Sequence, residues 1–268
     1  MPIPSRARLA LALVMFLVRA EPRAWAQATD LDSVLDRTSR QVSAFLDQVS
    51  DVKCTERVTL EKLNKGGRAE YTERGTYDYL VLLSGGNDEL QLNESRIPSA
   101  QDHKKKNLPM LISNGFSTLF LIFHPYYRSS FRFAAEADDT VDGQRLLRVH
   151  FAHIPGSRTP AALAVRGREY PLDLAGTAWI DPGTAMIARI DASVDKDMSD
   201  VGLRALSTHV DYAPIALPGW SQTYRFPVLA TVDVETLRQH WRNEHRFTEY
   251  KRFMVDTQET VSNNVGNK

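Results

Sequence analysis

From Val52 onward the chain alternates apolar and polar residues in short runs broken by turn chemistry, and this period of two restricts its possible folds more than any other feature. In VKCTERVTL (52–60), Val52, Cys54, Val58 and Leu60 share one strand face with Glu56, while Thr55, Arg57 and Thr59 share the other. Asn64-Lys65-Gly66-Gly67 supplies a turn, and the alternation resumes at Tyr71, Gly75, Tyr77, Tyr79 and Val81, so residues 52–83 predict a hairpin. A second turn over 84–88 leads to a strand at 90–94. Further strands are expected at 131–133, 146–154, 176–181, 185–194, 206–212, 222–226, 230–242 and 247–255. Asp142-Gly143 and Asp181-Pro182-Gly183-Thr184 predict tight turns between neighbours.

Only two segments follow a helical period. Leu31, Val34, Leu35, Val42, Phe45, Leu46 and Val49 form an apolar stripe over 31–49, with Thr38 filling the gap. The second segment, 108–123, carries a stripe of Leu108, Leu111, Ile112, Leu119, Ile122 and Phe123, and ends at His124-Pro125. Met110, Phe116, Phe120 and Leu121 make it apolar nearly all round, so it must be covered on more than one side. Short connections make neighbouring strands antiparallel. A long antiparallel sheet with only two helices to cover it must curl, which predicts a mainly β fold: a half-open β-barrel covered by an N-terminal helix and an inserted apolar helix.

Residues 1–28 have the composition of an export signal. Arg6 and Arg8 precede the apolar run LALALVMFLV (9–18), and Ala24-Trp25-Ala26 or Ala26-Gln27-Ala28 offers a cleavage site near Ala26 or Ala28. An apolar run of about ten residues is half of what a membrane-spanning helix needs, which favours cleavage and a soluble product. A single β domain is expected over 29–257, with a flexible tail over 258–268. Without residues 1–28 the net charge is about −3, which argues against nucleic acid as a partner.

No motif announces a chemistry. His150 and His153 are three apart in an expected strand and therefore face opposite ways; His240 and His245, five apart with Glu244 between, lack the helical spacing of zinc proteases. No metal ligand set, cofactor loop or activated nucleophile is expected, and no catalytic residue is assigned. Cys54, the only cysteine, alternates with Val52 and Val58 and reads as a small buried hydrophobe. Glu56 is the one carboxylate on an otherwise apolar strand face; it requires a partner, for which Arg96 or Arg74 is available.

The exported start, the helix over 31–49, the hairpin over 52–83, the motif GTAWIDPGTAMIARID (176–191) and the closing Tyr250-Lys251-Arg252-Phe253 together resemble the outer-membrane lipoprotein carrier (LolA-like) family and its uncharacterised relatives. The resemblance implies a periplasmic home and an unclosed barrel whose concave apolar face holds acyl chains. The loop 98–107, with Lys104-Lys105-Lys106, and the strands after Asp211 depart from the shorter carrier. The expectation is a non-catalytic binding or carrier protein for a lipid, a lipoprotein acyl chain or another apolar ligand. Phe116, Leu119, Phe120, Phe123, Val58, Tyr77, Tyr79 and Glu56 are expected near that ligand. The rival expectation is an envelope protein-interaction module with a filled core and no ligand; an enzyme built around Glu56 ranks third.

Overall fold

A computed structural model describes residues 30–49, 52–84, 90–99, 116–165, 168–196 and 198–252. The expected export segment 1–28, the apolar residues 108–115 and the expected tail 258–268 lie outside the described residues. Helix α1 spans Leu31–Val49, as its stripe predicts. Strands β1 (Val52–Leu63) and β2 (Ala69–Ser84) form the expected hairpin, followed by β3 (Gln91–Pro98). The middle apolar segment forms a 3-10 helix over Phe116–Phe123 rather than α-helix, and the single turn α2 (Pro125–Arg128) follows it. The His124 side chain caps that turn by accepting from the Tyr126 backbone N–H.

The remaining strands are β4 (Phe131–Ala135), β5 (Asp139–Val141), β6 (Gln144–His153), β7 (Ala162–Val165), β8 (Arg168–Pro171), β9 (Leu174–Ile180), β10 (Ile187–Val194), β11 (Leu203–Ile215), β12 (Tyr224–Thr236) and β13 (His240–Arg252). All except the separate β7–β8 hairpin join one antiparallel sheet of 11 strands in the order β3-β2-β1-β13-β12-β11-β10-β9-β6-β4, with β5 paired to β6. The first long strand thus pairs with the last, which sets the early hairpin against the end of the described chain. Strands of 12 and 13 residues twist about one another, so the sheet curls, yet β3 and β4 at its two ends do not pair. The result is a half-open barrel.

One register row explains the burial. Val149, Ala178, Ile190, Val210, Ala230, His245 and Val58 are cross-strand partners from β6 to β1, and all are buried. The adjacent row, shifted by one residue, reads His150, Thr177, Asp191, His209, Thr231, Glu244 and Thr59, entirely polar. A period of exactly one side chain in two therefore assigns an inner apolar and an outer polar face across seven strands.

One departure from the expected strands has a local cause. The strands expected at 222–226 and 230–242 are one strand, β12, running through Pro227, and the turn falls at 237–239 instead. Thr236 makes that turn without Gly or Pro: its Oγ1 accepts from the backbone N–H groups of Arg238 (3.3 Å) and Gln239 (3.0 Å). At Asp142-Gly143 the expected tight turn is present, with φ of 51° and 79°.

Candidate apolar-ligand site

Helix α1 lies in the concavity because its stripe leaves nowhere else to bury Val34, Leu35, Val42, Phe45, Leu46 and Val49. Phe45 projects from it into an aromatic cluster. Its ring meets Phe120 edge-on at 5.2 Å, Phe226 edge-on at 5.0 Å and Tyr224 at 5.7 Å. Phe120 comes from the 3-10 helix and reaches Tyr212 of β11 at 6.3 Å. Farther along the same helix, Phe123 packs against Phe133 and Phe151.

The 3-10 helix FSTLFLIF is therefore clamped between α1 and the sheet, with Leu119, Phe120, Leu121, Ile122 and Phe123 all buried. Ser39 Oγ of α1 donates to the Phe123 carbonyl at 2.7 Å and ties it to that helix. Arg128 of α2 also forms an ion pair with Asp36 of α1.

Two spaces flank the Phe45–Phe120 contact. One, of about 30 Å³, is lined by Gln41, Val42, Ile187, Tyr212, Tyr224 and Arg225. The other, of about 20 Å³, is lined by Val49, Val52, Cys54, Tyr79, Val81 and Tyr250. Phe45 and Phe120 belong to both walls. Each space is about the size of one water molecule.

Of the residues expected near a ligand, Phe120 and Tyr79 line these spaces. Leu119 and Phe123 are buried in the same helix, whereas the Phe116 side chain lies outside the described residues. Val58 sits farther along β1 beside His245 and Gly75. Phe45, Tyr212, Tyr224 and Phe226 complete the cluster; for Phe45 the helical stripe was a usable signal, but its partners Tyr224 and Phe226 lie on β12, far along the chain.

Glu56 has a different role. It is fully buried, and both carboxylate oxygens are held: Arg96 donates from Nε to one at 2.6 Å and from Nη2 to the other at 2.9 Å, and His245 Nδ1 lies 2.8 Å from Oε1. Arg96 also reaches Glu94 at 3.1 Å and stands over the Tyr79 ring. Tyr77 is the cross-strand partner of Glu56. Burial pushes the Glu56 carboxyl up, but the hydrogen bonds from His245 and Arg96 outweigh it and bring the group below its usual range. Such a carboxylate remains ionised and committed to its partners.

Among the described residues no group of three or more His, Cys, Asp or Glu side chains is arranged to hold a metal ion, and no helix is long and apolar enough to cross a membrane.

No protein-family model matches the sequence, and no curated protein matches it. Among solved structures, an outer membrane lipoprotein-sorting protein domain from Vibrio parahaemolyticus is similar to 86% of the chain and 96% of its own, at 11% identity and a TM-score of 0.45. A DUF1329 family protein from Desulfovibrio piger matches 85% of the chain and 94% of its own, with 12% identity and a TM-score of 0.45. The chain is also similar to a LolA superfamily protein from Nitrosomonas europaea, over 83% of this chain and 93% of that one, at 8% identity and a TM-score of 0.38.

Proposed function

We propose that this chain is a non-catalytic periplasmic binding or carrier protein that takes an apolar chain, such as the acyl group of a lipid or lipoprotein, into its curled sheet in place of the 3-10 helix. The observation that carries this reading is the pair of spaces that share Phe45 and Phe120, themselves in contact, as common walls. Neither space alone admits an acyl chain. Withdrawal of Phe120 joins them into one slot that runs from Arg225 and Gln41 at one end to Tyr79 and Cys54 at the other.

The physics of the helix favours such an exchange. A 3-10 helix has poorer hydrogen-bond geometry than an α-helix and is seldom as long as the eight residues of Phe116–Phe123. Its hold on the sheet is mostly apolar contact, and an acyl chain offers the same contact per unit of buried area. Glu56, the one buried carboxylate that the sequence marks for chemistry, is consumed by Arg96 and His245, which supports a structural role over a catalytic one.

Uptake of the apolar fluorophore N-phenyl-1-naphthylamine by the purified protein, with displacement by palmitate, tests the reading. Phe120→Ala should raise the affinity for the fluorophore several-fold while lowering stability by about 3–5 kcal/mol. No uptake by either protein would overturn it. The small size of the two spaces favours one rival, an envelope interaction module whose interior remains filled. That rival predicts the loss of stability in Phe120→Ala without any uptake in the parent protein.

A further inference from the structure

The larger of the two spaces contains polar chemistry that an acyl chain alone does not use. Tyr212 lines it and is 4% exposed. Its hydroxyl approaches the Phe120 backbone N–H, and among the described residues no acceptor takes its own proton. The Oε1 atom of Gln41, on the same wall, is likewise buried without a donor among the described residues. A carboxamide can turn either its oxygen or its NH2 toward a ligand.

Every other lining group of this space except Arg225 is apolar or aromatic, and Arg225 is engaged: its Nη1 donates to the Tyr212 carbonyl at 3.1 Å. A phenylalanine at 212 would fill the same volume without a buried O–H to desolvate. The unaccepted O–H proton is thus a cost to the closed protein that a bound acceptor would remove. It also stands beside the backbone of the segment that must leave for a ligand to enter, so departure of the 3-10 helix exposes the hydroxyl to whatever replaces Phe120.

We propose that Tyr212 forms a carbonyl subsite in this slot, so that the preferred ligands are fatty acyl esters or amides rather than bare alkyl chains. The proposal rests on the apolar-ligand reading above and adds the head-proximal chemistry to it. The ligand carbonyl accepts the Tyr212 O–H, and the alkyl chain runs past Phe45 toward Tyr79 and Cys54.

Competition against N-phenyl-1-naphthylamine with three probes of equal chain length tests it: 1-palmitoylglycerol, N-palmitoylethanolamine and the ether 1-O-hexadecylglycerol. The ester should displace the fluorophore about five- to tenfold more tightly than the ether, the increment of one neutral hydrogen bond. Preference for the amide over the ester within the same advantage would identify an amide-bearing chain as the ligand. Tyr212→Phe should erase the carbonyl advantage and leave the binding of the ether unchanged. Equal binding of all three probes to the parent protein, or an advantage that survives in Tyr212→Phe, would overturn the carbonyl subsite while leaving the apolar reading intact. Failure of every probe to bind would overturn the apolar reading itself.

Discussion

Glu56 shows how much one residue discloses in advance and how much it withholds. A carboxylate on the apolar face of VKCTERVTL must be paired, and Arg96 pairs with it across two strands. His245, 189 residues away, could not be assigned from spacing because its place beside Val58 depends on β13 returning to β1. Arg96 sits between two buried carboxylates, Glu56 and Glu94. Arg96→Met should therefore cost about 3–5 kcal/mol at pH 7.5, as a buried pair broken from one side does. The loss should shrink at lower pH, because protonation removes an uncompensated buried charge; urea denaturation at about pH 7.5 and about pH 5 measures this, and an equal loss at each would contradict it. Cys54 lies on the same face, where burial pushes its thiol up to about 12. It should resist iodoacetamide in the folded protein at pH 8 and react at once in urea, as mass spectrometry of the alkylated protein would record.

At the scale of elements, legibility follows whether the signal is local. The stripe of α1 and the Asp142-Gly143 turn are properties of a few adjacent residues, and both form as expected. The turn at 237–239 depends on a threonine hydroxyl that sequence patterns mark only weakly, so the expected strand boundary fell in the wrong place. The middle segment has helical composition, but its form as 3-10 helix, packed between α1 and the sheet, is not marked by its periodicity. Gly176 is another case in which contact decides the residue. A Cβ there would lie 1.9 Å from the Asp191 carbonyl oxygen, where β9 and β10 approach closely. Gly176→Ala must push these strands apart and should lower stability by about 1–3 kcal/mol, with amide exchange accelerated first in β9 and β10. Unchanged exchange in those strands would show that the sheet absorbs the methyl group elsewhere.

Across the whole molecule, the inner face is closed by apolar rows and the outer face by a network of charges, and the two respond to pH differently. On the outer face His209 bridges Asp191 and Asp211, at 2.5 and 3.0 Å, and Arg189 also binds Asp211 at 2.8 Å. Hydrogen bonds to Asp191 and then Asp211 raise the His209 imidazole from 6.5 to about 9. Its folded value lies above its unfolded one, so its contribution to stability is complete below about 6.5 and disappears as the pH rises through about 9. The carboxylates behave in the opposite sense. Asp211 is raised by burial but lowered further by His209 and Arg189, and Asp173 is raised by burial but lowered further by Lys196 and His153. Both end below their ordinary 3.8, so their contribution is present above that value and is lost as the pH falls beneath it. The thermal midpoint should therefore form a plateau between about pH 5 and 7, declining on both sides. His209→Gln removes the group responsible for the alkaline decline while leaving the inner face untouched. Its midpoint should be lower than the parent's at pH 6 and converge on it by pH 10. Parallel curves for the two proteins across that range would place the alkaline decline outside the Asp191–His209–Asp211 bridge.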